Sequence, residues 1–247
     1  SFSSFSEKLE ATELVELLNE YLEAMTNILL ENGGTLDKYI GDAIIGIYGS
    51  PIPIDDHEYK GCLSICLMNE KLEELRQKWT EEGDRWPEIV HNMRHRIGLN
   101  SGQIVAGNMG SSMRMGYTMM GDAVNATARL ESGAKQYGIE SQVGEHIFEK
   151  TKDKFFFRFL DHCRVVGKSD PLVNYELISE IDKVPSSYKK LIPLWDEAIA
   201  LYKKQDWDKA IAAFEKAEVF EEKYVPRKTN PCLLYIQRCK EFKENPP

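Results

Sequence analysis

Twice within the first 110 residues, two short runs of β-favouring residues are separated by a glycine-containing pair, and this pattern limits the architecture more than any other. The first is "DKYIGDAIIGIYG", Asp37 to Gly49, divided by Gly41-Asp42; the second is "HRIGLNSGQIVAGNMG", His95 to Gly110, broken at Ser101-Gly102. Such pairs suit tight turns, so each stretch predicts a β-hairpin. Hairpins join antiparallel strands, which argues against an all-parallel sheet. The expected class is α+β, with a mixed, largely antiparallel sheet flanked by helices.

Apolar residues at Leu14, Leu17, Leu18, Tyr21, Leu22, Met25, Ile28 and Leu29 recur at helical spacing and predict a helix over Ala11–Glu31, closed by Asn32-Gly33-Gly34. His57 to Trp79 reads as a second helix with Cys62, Ile65, Cys66, Leu72 and Leu75 on its buried face and Asp55 or Asp56 as its cap. Glu81 to Asn92 is polar and reads as a loop. "MGYTMMGDAVNATARLESGAKQYG", Met115 to Gly138, changes from strand to helix near Gly121-Asp122, with Asp122 as the expected cap. Met119 and Met120 suit either a pocket lining or gap-filling in the core. Phe155–Leu160 and Cys163–Leu177 supply further strands.

After Glu180 the pattern becomes almost purely helical, with Pro185 at the join. Trp195-Asp196-Glu197-Ala198-Ile199-Ala200 recurs twelve positions later as Trp207-Asp208-Lys209-Ala210-Ile211-Ala212, as in a tetratricopeptide-like helical pair. Two parts are expected: 1–182, and a helical extension over 183–247 that docks or braces.

The net charge of −9 argues against duplex nucleic acid as a partner, because phosphate binding needs a basic face. Five cysteines without a CxxC pair indicate reduced thiols in a cytoplasmic setting, and five histidines form no metal-binding pattern. Neither a basic-then-apolar leader nor an apolar run of membrane-spanning length occurs in these residues.

Three stretches in fixed order, "LDKYIGDAIIGIYG", "RIGLNSGQIVAGNMGS" and "YTMMGDAVNATARLE", followed by "VVGKSDPLVNYEL", resemble the class III nucleotidyl cyclase catalytic domain from Ser1 to about Ile178. The resemblance implies an adenylate cyclase that converts ATP to 3′,5′-cyclic AMP and pyrophosphate. It implies two divalent ions, Mg²⁺ or Mn²⁺, held in part by Asp42 at the hairpin turn, where a carboxylate oxygen suits a hard cation. It assigns base reading to Lys38 and Thr118: an ammonium suits adenine N1, an acceptor, and the hydroxyl can meet the exocyclic amine. Asn125 is implied to orient the ribose, and Arg129 to meet charge developing on the α-phosphate. The two metal aspartates and the Asn/Arg helix act from opposite subunits in that family, implying a homodimer with shared active sites.

Two departures stand out. The family's first strand ends in Asp-x-x-Gly/Ser-Phe-Thr/Ser, and Ser1-Phe2-Ser3 matches only its tail, so the second metal aspartate is expected three positions before Ser1. By the same resemblance, the backbone amides near Phe2 and Ser3 are implied to cradle phosphate. Where many relatives read Val-Lys-Gly-Lys, this sequence has Val165-Val166-Gly167-Lys168, leaving Arg164 or Lys168 to contact pyrophosphate. Alternatives are a catalytically silent nucleotide-binding or dimerisation domain, guanylate-type specificity, or an interaction protein working through its helical tail. A regulatory or sensor domain is expected upstream, and attachment to a membrane through segments outside these residues is open.

Overall fold

The computed structural model of the chain describes residues 5, 7–163, 172–223 and 227–246. Among these, no helix is long and apolar enough to cross a membrane. Helices and antiparallel strand pairs alternate along the chain, the α+β class expected. Contacts divide the chain into two compact units, one of 1–95, 99–128 and 146–151, the other of 96–98, 129–145 and 152–247.

In the first unit, α1 (Ala11–Glu31) forms over the expected span. Its end is a Schellman closure: Gly33 N–H donates to Leu30 O and Gly34 N–H to Leu29 O, both at 2.9 Å, with Gly33 at φ +80°. The hairpin follows as β1 (Thr35–Ile40) and β2 (Ala43–Ile47), antiparallel, with Ile40 opposite Ala43. Gly41 supplies positive φ (+61°) at the first loop position, where a two-residue turn of the II′ kind needs glycine. Leu29 of α1 lies across β2 so closely that a Cβ at Gly46 would sit 2.7 Å from its methyl carbons.

A second long helix, α2 (His57–Glu81), extends two residues beyond Trp79. Asp56 occupies its N-cap position without a side-chain capping bond, so the expected cap is positional only. Leu72, Leu75 and Trp79 pack with Leu17 and Met25 of α1, and Trp79 Nε1 donates to Glu20 Oε2 at 2.9 Å. The stretch read as a loop holds a 3₁₀ turn, Gly83–Arg85, and a short helix, α3 (Glu88–His91). Trp86 and Val90 are buried in the same core, which ties this polar segment down. Cys62 and Cys66 are buried and outside any disulfide, as core packing predicts.

The second expected hairpin does not form. β3 (Ile97–Leu99) and β4 (Val105–Ser111) lie in different sheets, and β4 pairs instead with β5 (Arg114–Met120), from Val105 opposite Met120 to Ser111 opposite Arg114. The residues at the supposed turn are engaged elsewhere: Ser101 Oγ donates to Glu58 Oε1 at 3.3 Å, and Asn100 Nδ2, just before the turn pair, to Ala123 O. Met120 is 62% exposed, which rules out gap-filling for it. Beyond it, Gly121, at φ +149°, makes the strand-to-helix switch, and its carbonyl accepts from Val124 and Asn125 amides. Asp122 is therefore the first residue of α4 (Asp122–Tyr137) rather than the residue before it.

The second unit holds the sheet β3-β6-β8-β7, with β6 (Ser141–Gly144), β7 (Phe155–Cys163) and β8 (Leu172–Glu180); α5 (Glu145–Thr151) follows β6. Three helices close the chain: α6 (Ser186–Lys203), with Pro185 at its N-cap, α7 (Trp207–Glu218) and α8 (Pro231–Glu244). They share one core with α4 and β7, centred on Trp195, Phe214 and Tyr235, whose rings lie 5.2–5.3 Å apart. Trp195 Nε1 donates to Phe159 O at 2.8 Å and Tyr235 OH to Leu160 O at 2.7 Å, so two aromatic side chains of the extension bond the backbone of β7. The repeated motif is equivalent in sequence but not in setting: Trp195 is fully buried and Trp207 only partly.

Beneath this core lies a buried charge cluster. The Arg158 side chain is wholly inaccessible; its Nε donates to Glu176 Oε2 at 2.7 Å and its Nη1 to Glu221 Oε1 at 2.6 Å. Its guanidinium carbon also stands 5.1 Å from the Trp195 ring centroid. Burial pushes the Glu176 carboxyl up against the pull of Arg158. Truncating Arg158 leaves the buried Glu176 without its directly bonded cation and Glu221 with only the 3.4 Å contact to Arg227, so Arg158→Ala is expected to cost about 3–5 kcal/mol in urea unfolding. Adding Glu176→Gln and Glu221→Gln should recover part of that loss. A loss below about 1 kcal/mol would mean the cluster is no stronger than a surface pair.

Candidate active site

A β-bulge decides the geometry of the first hairpin. Leu36 stands opposite Gly46 and Lys38 opposite Ile45, leaving Asp37 as the extra residue in β1. In a regular strand, neighbours point to opposite faces, but here the side chains of both Asp37 and Lys38 reach Thr118 on β5. Lys38 Nζ donates to Thr118 Oγ1 at 2.8 Å, Thr118 Oγ1 donates to Asp37 Oδ2 at 3.1 Å, and Lys38 Nζ lies 3.5 Å from the same Asp37 oxygen. The Lys38 side chain is 45% exposed and that of Asp37 only 3%. Asp37 Oδ1 is buried with no hydrogen-bond partner among the described residues.

The triangle thus brings together Lys38 and Thr118, which sequence placed 80 residues apart, and adds a carboxylate that reading by motif missed. Its only sequence trace is position: Asp37 is the residue directly before Lys38. The site presents an ammonium donor beside a hydroxyl, open to solvent on the lysine side. The neighbouring Tyr117 OH is bonded to Ser50 Oγ at 2.7 Å, a second tie between β5 and the residues after β2.

Asp42 is exposed at the tip of the same hairpin and makes no hydrogen bond or ion pair to any described residue. Asn125 and Arg129 are both exposed on α4, one helical turn apart, and their side chains likewise bond no described residue. Leu130, Ala134 and Tyr137 take the buried stripe of that helix, which directs the Asn/Arg positions outward. Phe2, Ser3, Arg164 and Lys168, like Val166, lie outside the described residues.

Among the described residues, no three His, Cys, Asp or Glu side chains come together as a metal-binding group. Asp42 is a single unengaged carboxylate on a rigid two-residue turn. Its chemistry fits one ligand position on a hard divalent ion whose other oxygens come from elsewhere.

A family description, "Adenylate and Guanylate cyclase catalytic domain", matches residues 1–179. The chain is 28% identical to a terminal-differentiation-specific adenylate cyclase of Dictyostelium discoideum over 96% of its own length and 11% of that protein's. That alignment covers the helical extension as well. Among solved structures, the chain is similar to the adenylyl cyclase CyaB from P. aeruginosa, with 30% identity, a TM-score of 0.63, and coverage of 74% of this chain and 91% of that one. It is similar also to the guanylyl cyclase Cya2, with 28% identity, a TM-score of 0.60, and coverage of 74% and 88%. The chain spans roughly a tenth to a third of the length of the curated relatives it matches.

Proposed function

This chain belongs to the adenylate and guanylate cyclase catalytic-domain family, and we propose that within it the protein is an adenylate cyclase, converting ATP to 3′,5′-cyclic AMP and pyrophosphate. The observation that carries the choice is the 2.8 Å bond between Lys38 and Thr118. An ammonium beside a hydroxyl matches the Watson–Crick edge of adenine, where N1 accepts and the exocyclic amine donates. Guanine offers the opposite pattern, a carbonyl O6 and a protonated N1, and its N1–H would face a cation. Similarity in fold to both an adenylyl and a guanylyl cyclase does not separate the two substrates; the chemistry of these two side chains is what supports ATP.

The remaining roles are those the family resemblance implies, and the chemistry of each side chain suits them. Asp42, at the hairpin tip, holds part of a pair of divalent ions, Mg²⁺ or Mn²⁺, with the second carboxylate expected three positions before Ser1. When bound, such ions lower the pKa of the ribose 3′-hydroxyl and neutralise triphosphate charge. Asn125 orients the ribose by hydrogen bonding. Arg129 meets the negative charge that builds on the α-phosphate, which a planar guanidinium spreads over two oxygens. Arg164 or Lys168 receives the pyrophosphate, and the backbone at Phe2 and Ser3 cradles phosphate. Asp42 and the Asn125/Arg129 helix act on one nucleotide from opposite protomers of a homodimer, giving two equivalent sites.

The alternative of a silent nucleotide-binding domain is weakened by the joint presence of Lys38, Asp42, Thr118, Asn125 and Arg129, which only a working site uses together.

Protein that includes the residues preceding Ser1 is expected to form cyclic AMP from ATP with Mn²⁺ or Mg²⁺ and to leave GTP nearly untouched. Absence of turnover would favour the silent domain, and preference for GTP would reverse the substrate. Lys38→Glu combined with Thr118→Cys should lower kcat/KM for ATP by about tenfold or more, and an unchanged value would refute the base-reading role. Asp42→Ala and Arg129→Ala proteins, each inactive alone, should regain activity when mixed, because one of the two sites in a mixed dimer is intact. No recovery in verified mixed dimers would count against shared sites.

A further inference from the structure

We infer that Asp37 is a positioning residue that sets the polarity of the Thr118 hydroxyl and so makes the base site selective for adenine. The inference rests on the base-reading roles proposed for Lys38 and Thr118, and extends them to a residue that no motif assigns.

A threonine hydroxyl has one hydrogen to donate and two lone pairs to accept with, so by itself it meets an amine or a carbonyl equally well. It would satisfy adenine's N6 amine or guanine's O6. In this structure the ambiguity is removed. The hydrogen goes to Asp37 Oδ2 at 3.1 Å, and one lone pair receives Lys38 Nζ at 2.8 Å. What remains is a single lone pair, which can only accept. It can take a hydrogen from an exocyclic amine and has nothing to give a carbonyl.

A carboxylate is suited to this task because, when ionised, it accepts only. Lys38 Nζ lies 3.5 Å from the same oxygen. The ammonium is oriented in turn: with donors directed to Thr118 and Asp37, it keeps one for the ring nitrogen beside the amine. The bulge at Asp37 allows consecutive side chains to converge on one hydroxyl. Burial of the carboxylate is costly, since its Oδ1 has no partner among the described residues.

The decisive variant is Asp37→Asn, which retains shape but can donate its amide hydrogen to Thr118 Oγ1, releasing the hydroxyl hydrogen toward the base. Initial rates with ATP, GTP and inosine triphosphate, which carries O6 and no exocyclic amine, give kcat/KM ratios for wild-type and variant. The ATP-to-GTP and ATP-to-inosine triphosphate ratios are expected to fall on the order of 10- to 100-fold, the scale of one hydrogen bond reversed. Asp37→Ser, whose hydroxyl can also donate, should shift the ratios in the same direction and serves if the Asn variant does not fold. In a Thr118→Val background, Asp37→Asn should leave the ratios unchanged, because the hydroxyl it acts through is gone. If the variants lower rates with all three nucleotides alike, Asp37 only supports the fold or the charge of Lys38, and the inference is overturned. If wild-type protein itself prefers GTP or turns over no nucleotide, the adenylate reading fails and takes this inference with it. A wild-type preference for ATP with unaltered variant ratios sinks the inference alone.

Discussion

One extra residue in a six-residue strand organises the proposed base-reading site of this protein. Without the bulge at Asp37, strand alternation would send Asp37 and Lys38 to opposite faces, and only one could reach β5. With it, both converge on Thr118, and two hairpins distant in sequence are joined by a hydrogen-bonded triangle. The same hairpin carries Asp42 at its far end, so the proposed base-reading and metal-binding groups sit on one short, rigid element whose turn is two residues long.

That element is held by close packing. Gly46 lets Leu29 lie directly on β2, and the Schellman closure of α1 delivers the chain into β1 with its last carbonyls satisfied. Any side chain at Gly46 would have to displace Leu29, which is itself buried. Packing at this level restricts how far the hairpin can drift, and positional tolerance in such sites is small.

The second unit is governed by a different constraint, the burial of charge. Arg158 crosses from β7 to Glu176 on β8 and to Glu221 just beyond α7, with Trp195 of α6 over its face. Such a cluster contributes little net stability compared with apolar packing, yet it penalises any arrangement in which one member loses its partners. The aromatic side chains of the extension that bond carbonyls of β7 act in the same sense, tying helices to strand by directional contacts. The extension is thus part of a core with α4 and β7, and similarity to the Dictyostelium cyclase runs through it.

Local pattern was enough to read α1, the first hairpin, the helical character after Glu180 and the α+β class, because helical period, strand period and turn chemistry act between near neighbours. Motif order likewise led to the family and to the residues proposed for the site. The second hairpin does not form although Ser101-Gly102 has turn chemistry, because the side chains of Asn100 and Ser101 answer to α4 and α2, a competition invisible in the local sequence. Asp37 was passed over for a similar reason: it gains meaning only from a hydroxyl 81 residues away. The sequence by itself determined which segments become helices and strands and which side chains are available for chemistry. Only the tertiary structure decided which strands pair and which carboxylate directs which hydroxyl, since those choices depend on contacts between residues whose separation carries no local signal.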